Sequence, residues 1–456
     1  MTKIPRLSLL MITVFLTACV SYIPHPLKPD ENLAILDARH IDDAALMTRL
    51  HEHYPQYNWP PAYWNLTQLN LMATEIHPEI AQAKAEFQLA QASLQSSQTL
   101  PNPQLNLTKQ HTSNPPDGQG SWTTGVGLDF LLETAGKRDA KQRFAAQKLA
   151  VAQAGLINAQ WQLRAHIRDA LLALSEAKST QFFLQKQISL VNSSVEAWNN
   201  RVMMGMSARS EQLAVEAHLT DLKQQLTTAI HDESDARHQL ATALGLTPKA
   251  IEHLSLSLPV ANIVLPSDGD SITATALQKR ADIQASLAEY AASEAKLQFE
   301  VAKQYPDITL SPSYSWDAQS MIWSLGVGLA LPLFNHNQSG IAEAEADRQV
   351  AKTRFEALQL NCRNAIEQAE KNEKTTALME LQAKEATQIA MNRLHAAENA
   401  FKAGATDRVQ LLEIRETQIA MQHAQAQAEF NHARAVATLE DALQLPLNTF
   451  QDAVKP

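Results

Sequence analysis

Residues Trp122 to Phe130 read WTTGVGLDF, and Trp323 to Leu331, about 200 residues further on, read WSLGVGLAL. In the first run Trp122, Thr124, Val126, Leu128 and Phe130 share one face of an extended chain, while Thr123, Gly125, Gly127 and Asp129 share the other. In the second, Trp323, Leu325, Val327, Leu329 and Leu331 alternate with Ser324, Gly326, Gly328 and Ala330. Strict period-two alternation predicts a two-faced strand, because successive side chains leave a strand on opposite sides. Just upstream, Leu105 and Leu107, and again Ile308 and Leu310, alternate with polar residues. The connectors, Thr112 to Ser121 and Trp316 to Met321, are polar and turn-like. Two strand pairs are expected, over 101–132 and 305–333.

Around these pairs the whole body repeats. His77-Pro78-Glu79-Ile80 lines up with Arg280-Ala281-Asp282-Ile283, and Pro103-Gln104-Leu105-Asn106-Leu107 with Pro306-Asp307-Ile308-Thr309-Leu310. Gly205 corresponds to Gly404. The period is too long for a solenoid unit and reads as an internal duplication.

Between the strand pairs the chain is built for long helices. It has only 13 Gly, about 3% against the usual ~7%. No Pro occurs between Pro116 and Pro248 or between Pro332 and Pro446, and these windows are rich in Ala, Gln, Leu, Glu and Lys. Gly136 to Gly205 and Gly340 to Gly404 leave room for helices of about 100 Å and 96 Å at 1.5 Å per residue. Shorter helical stretches are expected from Leu66 to Thr99, Ser207 to Leu244, Ser271 to Gln304 and Thr406 to Gln444, each pair matching one long helix when laid end to end. Ala145, Leu149, Ala152, Leu156, Ala159 and Leu163 follow a heptad, as do Ala351, Phe355, Leu358, Cys362, Ala365 and Ala369. Such seams suit close coiled-coil packing, and they give Cys362 the place of a small buried hydrophobe.

Each strand is about 9–11 residues, the length of a tilted membrane-crossing strand, and aromatic ends with small inner positions suit an outer-membrane barrel. Ordinary surface hairpins would show the same alternation. Four strands cannot close a barrel, since about eight is the smallest that fills itself. Strands that cross lipid must therefore share one barrel among several chains, because open edges there leave backbone groups unsatisfied.

Met1 to Ala18 has Lys3 and Arg6 ahead of an apolar run from Leu7 to Leu16, the pattern of an export signal. Its ending, Leu16-Thr17-Ala18-Cys19, resembles a bacterial lipobox, which implies cleavage before Cys19 and acyl lipid on its sulfur. Losing Lys3 and Arg6 takes the formal charge from −10 to −12. An acidic chain has no electrostatic support for a nucleic-acid partner. No HExxH, Walker loop, GxSxG elbow or CxxC is present, so neither an enzyme nor a bound cofactor or metal is expected. Most of the 15 His read as scattered surface residues.

A lipobox, two copies of helix, hairpin and long helix, and Gly-marked helix tips resemble the TolC family of outer-membrane efflux proteins. Glu133-Thr134-Ala135-Gly136-Lys137-Arg138, Leu331-Pro332-Leu333-Phe334-Asn335-His336-Asn337-Gln338 and Ala302-Lys303-Gln304-Tyr305-Pro306-Asp307 resemble stretches of its cation-efflux members, the cobalt–zinc–cadmium type. The resemblance implies a mainly α chain with a small β part: duplicated long-helix hairpins forming an α-barrel tunnel, and four transmembrane strands completing a twelve-stranded β-barrel shared by a homotrimer. It also implies a periplasmic adaptor, an inner-membrane pump of the RND type, outer-membrane lipid around the barrel, and passive export of metal cations or small organic toxicants. On this reading Trp122, Val126, Leu128, Phe130, Trp323, Leu325, Val327 and Leu329 face lipid. Residues 1–18 are a signal, 19–65 a lipid-anchored extended segment, 66–245 and 271–445 the repeats, 246–270 a linker and 446–456 a tail.

The resemblance places the adaptor-contact tips at Met203, Met204, Gly205 and Met206 and at Gly404 and Ala405. The three Met also suit a soft metal ion, though a flexible apolar knob accounts for them more simply. The tunnel gate falls at Gln410 and Glu413, six and nine positions after the second tip Gly; Gln410 departs from the acidic residue the family often carries there. A competing reading is a lipid-anchored periplasmic coiled-coil adaptor or structural protein, against which the paired strands at equivalent places argue.

Overall fold

The computed structural model describes residues 21–115, 120–257, 276–317 and 320–446. The signal, Cys19 and residues 258–270 of the linker lie outside the described residues, as does the tail beyond Pro446.

Two short helices, α1 (Pro29–Asp37) and α2 (Ala44–His53), precede α3 (Leu66–Ile76) and α4 (Pro78–Gln98). Strands β1 (Gln104–His111) and β2 (Trp122–Leu132) lead into the long helix α5 (Lys137–Met203), which turns back as α6 (Arg209–Ala243). The second copy runs α7 (Ala281–Ala302), β3 (Ile308–Trp316), β4 (Met321–Leu329), α8 (Gln338–Lys402) and α9 (Arg408–Leu443). At 67 and 65 residues, α5 and α8 are about 100 Å and 98 Å long. No helix among the described residues is long and apolar enough to cross a membrane.

The four strands form one antiparallel sheet in the order β1-β2-β3-β4. Cross-strand partners sort the side chains: Val126 lies opposite both Leu107 and Tyr314, Leu128 opposite Leu105, Phe130 opposite Leu310, and Trp323 opposite Tyr314. One face is therefore apolar and exposed, and the other carries Thr108, Gly125, Gly127, Ser313, Ser315, Gly326 and Gly328. Gly125 is required by that packing, since a Cβ there would stand 2.6 Å from Thr108 Oγ1.

α4 and α6 lie against α5, and α7 and α9 against α8, while α5 also packs on α7 and α9. The shorter helices meet end to end. After α6, Gly245 takes φ +69 and sits so close to His77 that a Cβ would be 3.0 Å from the ring. After α9, left-handed Gln444 accepts a bond from Ala281 N at 2.8 Å. The long seams are built largely of Ala, such as Ala145, Ala154, Ala351 and Ala369, which lets helices approach closely.

The structure corrects five expectations. Of the segment 19–65, expected to be extended, the described residues 21–65 contain α1 and α2, and Leu46, Leu50, Trp59 and Trp64 are buried in the largest core cluster with Leu69, Leu171 and Leu240. Leu66 to Thr99 is two helices, because Pro78 lacks the N–H needed to continue and His77 adopts extended backbone between them. Gly340 does not mark the strand-to-helix junction; it lies inside α8, and left-handed Asn337 (φ 61) does the work that Gly136 does before α5. β4 occupies 321–329, two residues before the predicted run, leaving Leu331 beyond its end. In the second seam Ala365 is exposed and Ile366 is buried in its place, the drift of a 3.6-residue helix from a strict heptad.

Candidate tunnel tips, equatorial lock and sheet joint

Both long helices stop at the same device. Met206 N donates to Arg201 O (2.8 Å) and Gly205 N to Val202 O (3.0 Å); Ala405 N donates to Ala400 O (2.9 Å) and Gly404 N to Phe401 O (3.0 Å). This pattern needs a left-handed residue, supplied by Gly205 (φ +67) and Gly404 (φ +73), where a Cβ-bearing residue is strained. The first tip presents three exposed thioethers, Met203, Met204 and Met206, at 65–72% of their free area. Gly404 and Ala405 are also exposed. Asp407 caps α9 by accepting from Gln410 N at 2.9 Å, and it accepts a second bond from Arg201 Nη1 at 2.8 Å. The two tips are thus fastened to each other. One helical turn on, Gln410 and Glu413 are exposed on one face of α9, while Val409, Leu411, Leu412 and Ile414 are buried.

At mid-length the two repeats are locked by charge. Arg168 on α5 is fully buried and donates to Glu440 Oε2 (3.1 Å), Asp441 Oδ2 (2.6 Å) and Asp169 Oδ1 (2.9 Å); Arg164 adds a bond to Glu440 Oε1 at 3.0 Å. Burial disfavours the Arg168 cation, but the Asp441 and Asp169 carboxylates outweigh it and drive its pKa further up. Nearby, Arg280 donates to the Ala442 carbonyl and pairs with Asp282. Cys362 is buried with Sγ 3.9 Å from Asp282 Oδ2, and burial leads the rise in its pKa, which suits an inert packing residue.

Within the second hairpin His432 is buried between two acids, with Nδ1 2.5 Å from Glu380 Oε2 and Nε2 3.3 Å from Glu373 Oε1. Most of the histidines are exposed, as expected; His432 is an exception, and His423 is half-buried and stacks on Phe183. His77, Glu79, His166, Asp169 and His238 line one cavity. Among the described residues, however, no three His, Cys, Asp or Glu side chains are arranged to hold a metal ion.

Where the sheet meets the helices, two of the quoted motifs come together. Lys137, almost fully buried, donates to Asp307 Oδ1 and to the Tyr305 carbonyl, each at 2.7 Å; Thr134 donates N–H to Asp307 (3.1 Å) and Oγ1–H to Pro306 O (2.6 Å). None of the cross-repeat contacts of Arg168, Arg201 or Lys137 was foreseen. Only Lys137 and Asp307 carried a signal, as members of motifs already singled out. At the other end of the sheet Trp122, Trp316 and Trp323 cluster beside the hairpin connectors, with Lys109 Nζ 4.8 Å from the Trp122 ring centroid.

A duplicated helical hairpin carrying a two-faced sheet, with β1 and β4 as the outer strands among the described residues, is the fold of channel proteins built from a β-barrel and a helical tunnel. The chain belongs to the outer membrane efflux protein family, whose profile matches residues 72–246 and 273–444. It is 22% identical over 274 residues to the cobalt-zinc-cadmium resistance protein CzcC of Cupriavidus metallidurans, covering 59% of this chain and 63% of that protein. It is 23% identical over 243 residues to the pyoverdine export outer membrane protein OpmQ of Pseudomonas aeruginosa, covering 52% and 50%. The matches thus span between half and two thirds of these relatives. The fold is similar to that of the outer membrane protein VceC from Vibrio cholerae, with a TM-score of 0.69 at 21% identity over 84% of this chain and 96% of that one.

Proposed function

We propose that the chain is the outer-membrane duct of a tripartite efflux system, a homotrimer that passively exports cargo delivered by an inner-membrane pump of the RND type and a periplasmic adaptor. The observation that carries this is the open four-stranded sheet set on helices of about 100 Å. A sheet with an exposed apolar face and two unpaired edges is a poor surface decoration, because it invites association. In a shared barrel the apolar face meets lipid, the edges pair, and the Trp cluster at the connector end sits at the interface. Trp122, Val126, Leu128, Phe130, Trp323, Leu325, Val327 and Leu329 all lie on that face. The sheet also weighs against the periplasmic coiled-coil alternative.

In this reading Cys19 carries the lipid anchor, the Met203–Met206 knob and the Gly404–Ala405 turn receive the adaptor, and Glu413 lines the constriction with Gln410 beside it. The duct itself performs no chemistry. Metal cations are the favoured cargo, supported by the likeness to CzcC; the likeness to OpmQ keeps small organic cargo as the second class. Gentle detergent extraction of the membrane fraction tests the assembly: a heat-modifiable band at three times the chain mass is expected, whereas release by salt or a monomeric extract would refute it. A deletion strain challenged with zinc, cobalt, copper, dyes and detergents then identifies the cargo.

A further inference from the structure

The two hairpins repeat in register as well as in sequence. Pro103 corresponds to Pro306 and Trp122 to Trp323, so β1 maps onto β3 by a shift of 203 and β2 onto β4 by a shift of 201. Applied to the observed pair Leu107–Val126, these shifts give Leu310–Val327, and applied to Thr108–Gly125 they give Ser311–Gly326; both are pairs of the β3–β4 hairpin. The same shifts can therefore be applied to the remaining seam, β2–β3. They carry it onto β4 and a β1 that must belong to another copy, since β1 and β4 are the two outer strands of this sheet.

We propose that a second copy of this chain covers the β4 edge in this one register, and that the joint beneath that seam is uncharged. Val126–Tyr314 becomes Val327 opposite His111 of a second copy, and Phe130–Leu310 becomes Leu331 opposite Leu107. The edge residues fit an absent neighbour: Leu105, Leu107, Val327 and Leu331 expose 61–75% of their surface. The matching strands differ in length for a local reason. β2 continues to Leu132 where β3 pairs with it, while β4 stops at Leu329, ahead of Pro332 and of the turn in which Leu333 N donates to Leu331 O at 2.9 Å.

The joint below the seam follows by the same mapping. Within the chain Lys137 grips Asp307 and the Tyr305 carbonyl. The counterpart of Lys137 is Gln338, and those of Asp307 and Tyr305 are Gln104 and Asn102. The seam inside each copy is thus fastened by a mostly buried ion pair, and at the corresponding positions of the seam between copies stand two neutral side chains, Gln338 and Gln104.

The inference rests on the shared-barrel reading, and the experiment separates the two. Val327→Cys with His111→Cys, in the full chain and in membranes, should convert most of the protein to covalent multimers on oxidation, because directly opposed strand residues lie within disulfide reach. Leu331→Cys with Leu107→Cys is a second pair on the same face and should behave alike. Val327→Cys with Lys109→Cys, slipped by two residues, should crosslink at about a tenth of that level or less. Adding Gln338→Lys and Gln104→Asp together should raise the heat-dissociation temperature of the oligomer, and either alone should not. An oligomer that crosslinks through the slipped pair, or through neither matched pair, overturns the register while leaving the duct intact. Rescue by either single charge overturns the uncharged joint. A monomer in gentle extracts overturns the shared barrel and this inference together.

Discussion

Arg201 at the end of α5 and Asp407 at the head of α9, 206 residues apart in sequence, form an ion pair of 2.8 Å that ties the first helix tip to the second. Both side chains are partly exposed, so the pair is worth at most about 1 kcal/mol in stability. On the proposed duct reading the tips form the narrow end, and a weak tie there suits a contact that must open. Asp407→Asn keeps an oxygen for the Gln410 N–H and removes the charge; Arg201→Met removes the charge from the other side. Each should raise the time spent in high-conductance states about two- to fivefold, with no further gain in the double variant. Additive effects, or none, would show that the pair does not couple the tips.

The Met knob is predicted to be a docking surface. Three exposed thioethers side by side offer an adaptable apolar contact that a charge destroys. Met204→Glu should abolish copurification with the adaptor and efflux while leaving trimer migration unchanged. Retained assembly and efflux would remove the tip from the adaptor interface.

The Arg168 lock should dominate the stability of the helical body. Its guanidinium and the Glu440 carboxylate are both fully buried, and removing one partner strands the others. Arg168→Ala should lower stability by about 3 kcal/mol, towards the lower end of the buried-pair range because Arg164 still reaches Glu440. Heat dissociation of the purified protein reads this, and a shift no larger than that of a surface Arg would contradict it.

Acid should loosen the second hairpin through Glu380. Burial opposes its ionisation, yet hydrogen bonds from Lys384 and His432 hold its pKa below the ordinary 4.5. A lowered folded-state pKa means the stabilisation is fully present above that ordinary value and is lost as the pH falls below it. Thermal scans at about pH 7 and pH 4 should therefore differ, and Glu380→Gln should shrink the difference. An unchanged difference would assign the acid sensitivity elsewhere.

The strands were legible because alternation over Trp122–Phe130 is a local property, and so were the tips, because Gly205 and Gly404 are needed at left-handed turns. The junction before α8 was misplaced because Asn337 tolerates the same conformation and Gly340 lay nearby. The packed N-terminal region was missed for a different reason: Trp59 and Trp64 sit among Pro and Tyr with no helical period, and only a distant core explains them. Arg168, Arg201 and Lys137 find partners 168 to 273 residues away, and such pairs depend on how each helix is rotated about its axis. A heptad pattern does not specify that rotation closely enough to match single charges across helices.

Conductance in planar lipid bilayers tests the central claim most directly, using the purified full-length oligomer and its Asp407→Asn variant, which is predicted to open more readily. A passive duct should give discrete, ohmic, cation-selective steps that multivalent cations block, with block and selectivity reduced by Glu413→Gln. An intact oligomer that inserts yet conducts nothing in either form would contradict the account.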